Sequence, residues 1–502
     1  MKRQPTGKHT PAMTRDRRPS REVPVAMLAV AIVIAGCTTA DPAAVTELAN
    51  PVSISLTNPG FEETDGWNGL VQETSEYWAP VEGLGYAKVE SDADPLIQHT
   101  GQPIEAGQSY LLTLWTRSLN QPGLAKPTPL EVSLLADGEP VATVTSDVSA
   151  PRLVGDPRRI PNDDGANVWI DQGYRMQFSD TVVYQMQDDD PILDPWDAIN
   201  DPDYDVDMAV GPIITPQGLR GVYSTFYRER SPVYSEIRIV VAAGSPPDYA
   251  WRQGDAVLSH SGDEEPWTID AHLTYDDATE RLWMAWGGGT IYVSELDPAT
   301  GFLFGNPPDT EFDTHPEGTH TPVARWNGDE WTGGNSWFEG PALYKRGDYW
   351  YLFASYGDLA INYSIRMGRG ASPTGPFYDK DGVSLVEWDR DEEEYGNTFL
   401  LAGEGGQDSP GHPHVWEEDG RTFMGFDYVD DYDGSRTDRM GIRELRWVDG
   451  WPTVWKPLTV HLSERQARAL AGKELGISIT SVGEPLTTAG IDRVRLVTGT
   501  AE

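Results

Sequence analysis

Downstream of about residue 50, apolar positions recur at every second place in short runs, and Gly, Pro, Asn and Asp cut one run from the next. Helical periodicity is scarce, so the pattern predicts an all-β chain with many turns. In the middle of the chain one unit returns. Asp270 opens a run through Tyr275, an acidic turn follows at Asp276 and Asp277, and Arg281 to Gly287 forms an aromatic strand. Glu339 to Tyr344, a turn at Lys345 to Asp348 and Tyr349 to Ser355 repeat it, as do His412 to Trp416, Glu417 to Gly420 and Arg421 to Phe426. Gly211 to Thr215, Pro216 to Gly218 and Gly221 to Phe226 make a fourth unit. Asp156 to Pro161, Asn162 to Gly165 and Asn167 to Asp171 make a fifth. Strand, tight turn and aromatic strand describe the inner hairpin of a propeller blade, and openers 55 to 73 residues apart leave room for two more strands per blade. The expected fold is a five-bladed β-propeller over residues 151–454. Its openers Asp156, Gly211, Asp270, Glu339 and His412 would then face one central funnel.

The flanks read differently. Val52 to Leu56, Tyr110 to Arg117, Leu130 to Leu135 and Pro140 to Thr145 alternate as strands of a sandwich, and Leu458 to Leu462, Leu475 to Val482 and Ile491 to Val497 do so near the C-terminus. The run Leu56-Thr-Asn-Pro-Gly-Phe-Glu-Glu63 with Trp67, and Ile104 to Tyr110 later, resembles carbohydrate-binding modules of the jelly-roll type. Such modules close with a strand like Ile491 to Leu496. The expected organisation is therefore a propeller inserted in or flanked by a jelly-roll β-sandwich, with residues 51–150 supplying its first part and 455–502 its closing strands.

Residues 1–36 read as an export signal: basic residues lead into the apolar run Val25 to Ile34, which is shorter than the roughly 20 residues a membrane span needs. Ile34-Ala-Gly-Cys37 resembles the bacterial lipobox, which makes Cys37 the expected lipidation site, 37–50 a tether, and the location extracytoplasmic, lipid-anchored or secreted. Membrane contact is expected through the lipid alone. Cys37 is the single cysteine, so thiol catalysis and disulfides are excluded once it carries lipid. The formal net charge of −41 repels nucleic acid and anionic lipid but leaves a neutral polysaccharide unaffected.

Carboxylates around a funnel suit glycosidic hydrolysis, which needs a proton for the leaving oxygen and a second carboxylate across the bond. A third, close to the acid, raises its pKa by like-charge repulsion. Trp337-Phe-Glu-Gly-Pro341 with Tyr349 to Ser355, Ser364-Ile-Arg-Met-Gly-Arg369, Pro373 to Phe377, Asp379 to Gly382, Pro410-Gly-His412 and Asp449 to Val454 resembles glycoside hydrolase family 43, closest to its endo-1,5-α-L-arabinanases. Ile269-Asp270, Trp283 to Gly287 and Glu295 to Gly301 extend the resemblance upstream. It implies Glu339 as general acid, Asp270 as modulator of that acid, and Asp156 in the first blade as the base, with Asp171 and Asp207 as alternatives. It also implies a calcium ion held through water near His412. Trp337, Phe338 and Trp267, adjacent to the acid and its modulator, are candidates to stack on a sugar face, with blade packing as the alternative, and Arg366 is a further candidate substrate contact. The activity implied is inverting hydrolysis of arabinan-type polysaccharide. β-Xylosidase or galactofuranosidase action, and a non-catalytic glycan-binding lipoprotein, are the alternatives. Two departures bear on the substrate: Val210-Gly-Pro-Ile213 stands where arabinanases carry a tryptophan-alanine-proline-aspartate run, and Gly155 precedes Asp156 where a histidine is usual.

Overall fold

The computed structural model describes residues 48–501 apart from 74–79, 82–84, 91–92, 119–128, 146–157, 161–167, 172–173, 179–183, 187–205, 213–215, 217–220, 228–231, 233, 244–249, 263–265, 306–309, 326–336, 359–361, 389–394, 404–406, 419, 431–436 and 483–487. The signal, Cys37 and Asp156 lie outside the described residues. Strands dominate, and no helix among the described residues is long and apolar enough to cross a membrane.

The N-terminal strands are β1 (Leu48–Ile54), β2 (Val71–Glu73), β3 (Tyr86–Glu90), β4 (Leu96–Pro103), β5 (Ser109–Ser118), β6 (Leu130–Ala136) and β7 (Glu139–Thr145). The C-terminal ones are β28 (Lys456–Leu462), β29 (Glu474–Ser481) and β30 (Thr488–Ala501), with the short helix α1 (Glu464–Leu470) between β28 and β29. One sheet runs β2-β3-β30-β5-β28 with β1 also on β30, and the other runs β4-β29-β6-β7. The two ends of the chain thus share both sheets. Alternation explains the core between them: Leu112 and Leu114 of β5 point inward to meet Val132 and Leu134 of β6, Ile477 and Ile479 of β29, and Leu496 of β30.

Among the described residues between the flanks lie five four-stranded antiparallel sheets, each taken up in chain order. Blade 1 is β8 (Arg158–Ile160), β9 (Val168–Asp171), β10 (Tyr174–Phe178) and β11 (Tyr184–Met186); blade 2 is β12 (Val206–Pro212), β13 (Gly221–Tyr227), β14 (Tyr234–Ala243) and β15 (Ala250–Ser261). Blade 3 is β16 (His272–Asp276), β17 (Arg281–Trp286), β18 (Thr290–Leu296) and β19 (His320–Arg325). Blade 4 is β20 (Trp337–Arg346), β21 (Tyr349–Gly357), β22 (Ser364–Gly370) and β23 (Thr398–Leu401); blade 5 is β24 (Gln407–Glu418), β25 (Arg421–Asp430), β26 (Thr437–Val448) and β27 (Trp451–Thr453). The first strands β8, β12, β16, β20 and β24 lie against one another in that order, the arrangement of a propeller around its axis. The second strands of blades 3, 4 and 5 are largely covered on both faces. In β21 every residue after Tyr349 is buried, which is why these strands read as unbroken apolar, aromatic runs.

Candidate active site

Asp270 stands just ahead of β16 with a φ of +54°, a left-handed conformation that ordinary residues occupy at a cost of about 1–3 kcal/mol. Its backbone N–H donates to Ser224 Oγ of blade 2 at 2.8 Å. His412, in blade 5, repeats the device: φ is +49° and its N–H donates to Ser355 Oγ of blade 4 at 2.7 Å. In both cases a serine on the second strand of one blade pins the residue that opens the next blade, so the strain is held by hydrogen bonds across the blade boundary.

Glu339 and Asp270 are brought together through Gly340. Asp270 Oδ2 accepts from the Gly340 N–H at 3.0 Å, which ties the Asp270 carboxylate to the backbone next to Glu339. Gly340 has a φ of +58°, and a Cβ there would lie 2.9 Å from Ser355 Oγ and 3.3 Å from His412 Cα. Only glycine fits, because β20 bulges between Glu339 and Ala342 against the wall formed by blade 5. Tyr363, immediately before β22, donates its hydroxyl to Glu339 Oε1 at 2.7 Å. Burial first, and then the charges of Glu339, Asp270 and Asp427, push its phenol well above the usual tyrosine range. Asp427 of β25 is itself buried, and together with Asp270 and Glu339 it makes a third carboxylate acting on this phenol.

Deeper along the inner strands, the Leu343 N–H donates to His272 Nδ1 at 3.4 Å, which leaves Nε2 as the protonated nitrogen of a neutral ring. By that assignment from partners, Nε2–H donates to His414 Nδ1 at 3.1 Å and couples blades 3 and 5. The imidazoles of His272 and His412 are both buried.

Several expected site residues stand elsewhere. Phe338 is fully buried, its ring 4.4 Å from that of Tyr356, because the side chain preceding Glu339 on a strand points to the opposite face. It packs the blade and offers no face to a sugar. Arg366 is 2% exposed, with its guanidinium 3.8 Å from the Phe399 ring centroid, 4.7 Å from that of Tyr356 and bonded to Asn397 Oδ1 at 2.8 Å. It is an internal cation–π clamp between strands and not a substrate contact. Trp267 is half-buried beside Gly288. Trp337 starts β20, with its side chain outside the described residues. Asp171 and Asp207 lie on β9 and β12, and their side chains are likewise outside the description.

Blade 2 also departs from the expected opener. Ser224 pairs with Ala209, whereas Ser355, its counterpart in blade 4, pairs with Glu339. Ala209 is thus the residue level with Glu339. Gly211 lies two residues further along β12, next to the Pro212–Gly221 pair that closes the hairpin. The run Val206 to Pro212 contains no aromatic residue, and a glycine-proline step looked like a strand start when it was the end.

Among the described residues no three His, Cys, Asp or Glu side chains gather as a metal-binding group. A calcium ion takes about six to eight oxygen ligands. His412 sets an imidazole beside Gly340 and Ser355, so a calcium ion near it would be held through water, as a single protein nitrogen supplies none of those oxygens.

Tyr363 and Asp427 were not singled out by the sequence. The signal for Tyr363 was weak: an aromatic residue ahead of Ser364-Ile-Arg-Met reads as one more strand-packing side chain.

Residues 222–452 match the sequence model of glycosyl hydrolases family 43. The extracellular exo-α-(1→5)-L-arabinofuranosidase of Cellvibrio japonicus is 26% identical over 289 residues, 54% of this chain and 76% of that protein. The extracellular endo-α-(1→5)-L-arabinanase 2 of Bacillus subtilis is 30% identical over 217 residues, covering 38% of this chain and 42% of that protein. Among solved structures, the α-L-arabinanase of Cellvibrio cellulosa complexed with arabinohexaose aligns with 64% of this chain and 98% of its own at a TM-score of 0.47 and 19% identity. Over residues 222–452 the chain is therefore similar to glycosyl hydrolases of family 43, and together with the relatives above this supports a glycosidase.

Proposed function

We propose that the protein hydrolyses arabinan-type polysaccharide with inversion at the anomeric carbon, outside the cytoplasm, with Glu339 as general acid. The observation that carries this is the tie from Asp270 through the Gly340 N–H to the residue bearing the proton, with Tyr363 on the same carboxyl group. A proton donor in such a reaction must stay protonated near neutral pH and must reach the glycosidic oxygen. Asp270, acting on the same small region, opposes ionisation of Glu339 by its charge and fixes the backbone that aims it. Asp156 is the proposed base, accepting a proton from the water that attacks from the opposite wall; about 6.5–9.5 Å between acid and base leaves room for that water. The arabinan assignment draws on relatives named for α-(1→5)-L-arabinan cleavage. The export signal, lipid attachment at Cys37 and a glycan-binding role for the sandwich complete the proposal.

The test is NMR of the first-formed anomer from α-1,5-linked arabino-oligosaccharides, with arabinoxylan and galactofuranan alongside. The expected result is β-L-arabinofuranose from the wild type and none from Glu339→Gln or Asp156→Asn. Turnover on the other two polymers alone moves the substrate, and full activity in Asp156→Asn moves the base to Asp171 or Asp207.

A further inference from the structure

We propose that Tyr363 is a positioning residue for the proton donor: by donating to Oε1 of Glu339 it reserves Oε2 as the oxygen that carries the transferable proton. The inference rests on Glu339 acting as the general acid.

Tyr363 cannot easily turn away from its partner. It is 2% exposed, and its ring lies so close to Gly411 that a Cβ there would approach Cδ1 to 2.2 Å and Cε1 to 2.4 Å. Gly411 is paired with Asp427 of β25. The groups that face the phenol are therefore Glu339 from β20, Asp270 from the segment before β16 and Asp427 from β25. All three are carboxylates, and each opposes a phenolate. Tyr363 keeps its proton and is a donor whether Glu339 is charged or neutral.

That constancy fixes the proton on Glu339. In a carboxylic acid the carbonyl oxygen is the better acceptor, so the tyrosine hydroxyl pairs with Oε1 as carbonyl and the acidic hydrogen sits on Oε2. In the reaction the Oε2 proton passes to the glycosidic oxygen as the C–O bond breaks with its electron pair going to that oxygen. Water forms the new bond and the base takes its proton. The Tyr363 bond then becomes charge-assisted on the carboxylate left behind. It strengthens along the reaction coordinate, so it favours the transition state over the ground state. The Tyr363 bond favours the ionised form of Glu339, whereas the charge of Asp270 opposes it.

The experiment compares wild type, Tyr363→Phe and Glu339→Gln across pH on α-1,5-linked arabino-oligosaccharides and on a dinitrophenyl arabino-oligosaccharide, whose leaving group needs no proton. Tyr363→Phe keeps the ring against Gly411 and removes only the donor. The expected result is an alkaline limb of kcat/KM moved up by about one pH unit, kcat on the natural linkage lowered about tenfold, KM within twofold, and a small change on the dinitrophenyl substrate. An unmoved limb, with both substrates losing activity alike, overturns the inference and leaves a packing role. If Tyr363→Phe does not fold, fluorotyrosine placed at the same position is the second variant; as a stronger donor it must move the limb down, and an unmoved limb again overturns the inference. Full activity in Glu339→Gln would instead overturn the assignment of the acid. An inactive Glu339→Gln beside a Tyr363→Phe profile identical to wild type overturns only the role of Tyr363.

Discussion

At Gly411 a single methyl group is enough to test how tightly the site is built. The Cβ of Gly411→Ala meets the Tyr363 ring at 2.2 Å and Ser355 Oγ at 3.3 Å, and both neighbours are buried. The ring must shift, which breaks its bond to Glu339. The expected cost is about 1–3 kcal/mol in a urea titration, the range for overpacking a core, together with lost activity on the natural linkage. Glu339 and Asp270 stood out in the sequence because each opens a strand-turn-aromatic-strand unit that recurs along the chain. Tyr363 and Asp427 did not, because they enter the site from other strands of their blades, where an aromatic or acidic residue has no fixed place in the repeat. Phe338 and Arg366 were misplaced for a related reason: neighbours of a catalytic residue on a strand alternate in direction, and a motif read as a string hides which face each side chain takes.

Among the elements, blade 3 carries a hydrogen-bonded chain away from the site. Trp286 Nε1–H donates to Ser294 Oγ at 2.9 Å, Ser294 lies 2.7 Å from His320 Nδ1, and His320 Nε2 lies 2.9 Å from His315 Nδ1. Ser294 Oγ accepts from the indole and also pairs with His320, and His320 pairs in turn with His315, so four side chains form one continuous hydrogen-bonded chain. Phe312 stacks on His320 with ring centroids 5.0 Å apart, so the connection before β19 is locked to the blade. Burial, and then His315, pushes the His320 pKa from 6.5 down to about 3. As pH falls below 6.5 the unfolded chain binds this proton and the folded one refuses it until about pH 3, so stability declines through that window. Urea midpoints of the wild type at pH 7 and pH 4.5 should therefore differ by more than those of His320→Gln; equal differences would remove His320 from the acid response. The blade hairpins themselves were legible from alternation and aromatic content. The register of β12 was not, because Val206 to Pro212 offers neither aromatic residues nor a sharp polar boundary, and only pairing with β13 decides which residue is level with Glu339.

At the scale of the molecule, the sandwich is joined to blades 4 and 5 by contacts remote in sequence. Arg117 Nη1 donates to Leu400 O at 3.2 Å, Lys380 Nζ donates to Pro80 O at 3.0 Å, and Arg493 lies 3.6 Å from Asp449. Burial lowers the Lys380 pKa, while the charges of Asp492, Asp381 and Asp449 act against that shift. Trp455, 1% exposed, packs with Tyr86, Val81 and Val448 across the same junction. Trp455→Ala should cost about 3–5 kcal/mol. Sandwich and propeller probes should still unfold together in the wild type, and a separate early transition of the sandwich in the variant would show that this cluster couples them. None of these contacts follows a period or a motif, so they were not readable from the chain.

The claim on which the rest depends is that Glu339 delivers the proton to the leaving oxygen. It is tested most directly by kcat of Glu339→Gln on an α-1,5-linked arabino-oligosaccharide and on the matching dinitrophenyl glycoside. The account predicts a loss of about 10²–10⁴-fold on the natural linkage and about tenfold or less on the activated one. Equal losses on both substrates, or no loss on the natural one, would contradict it.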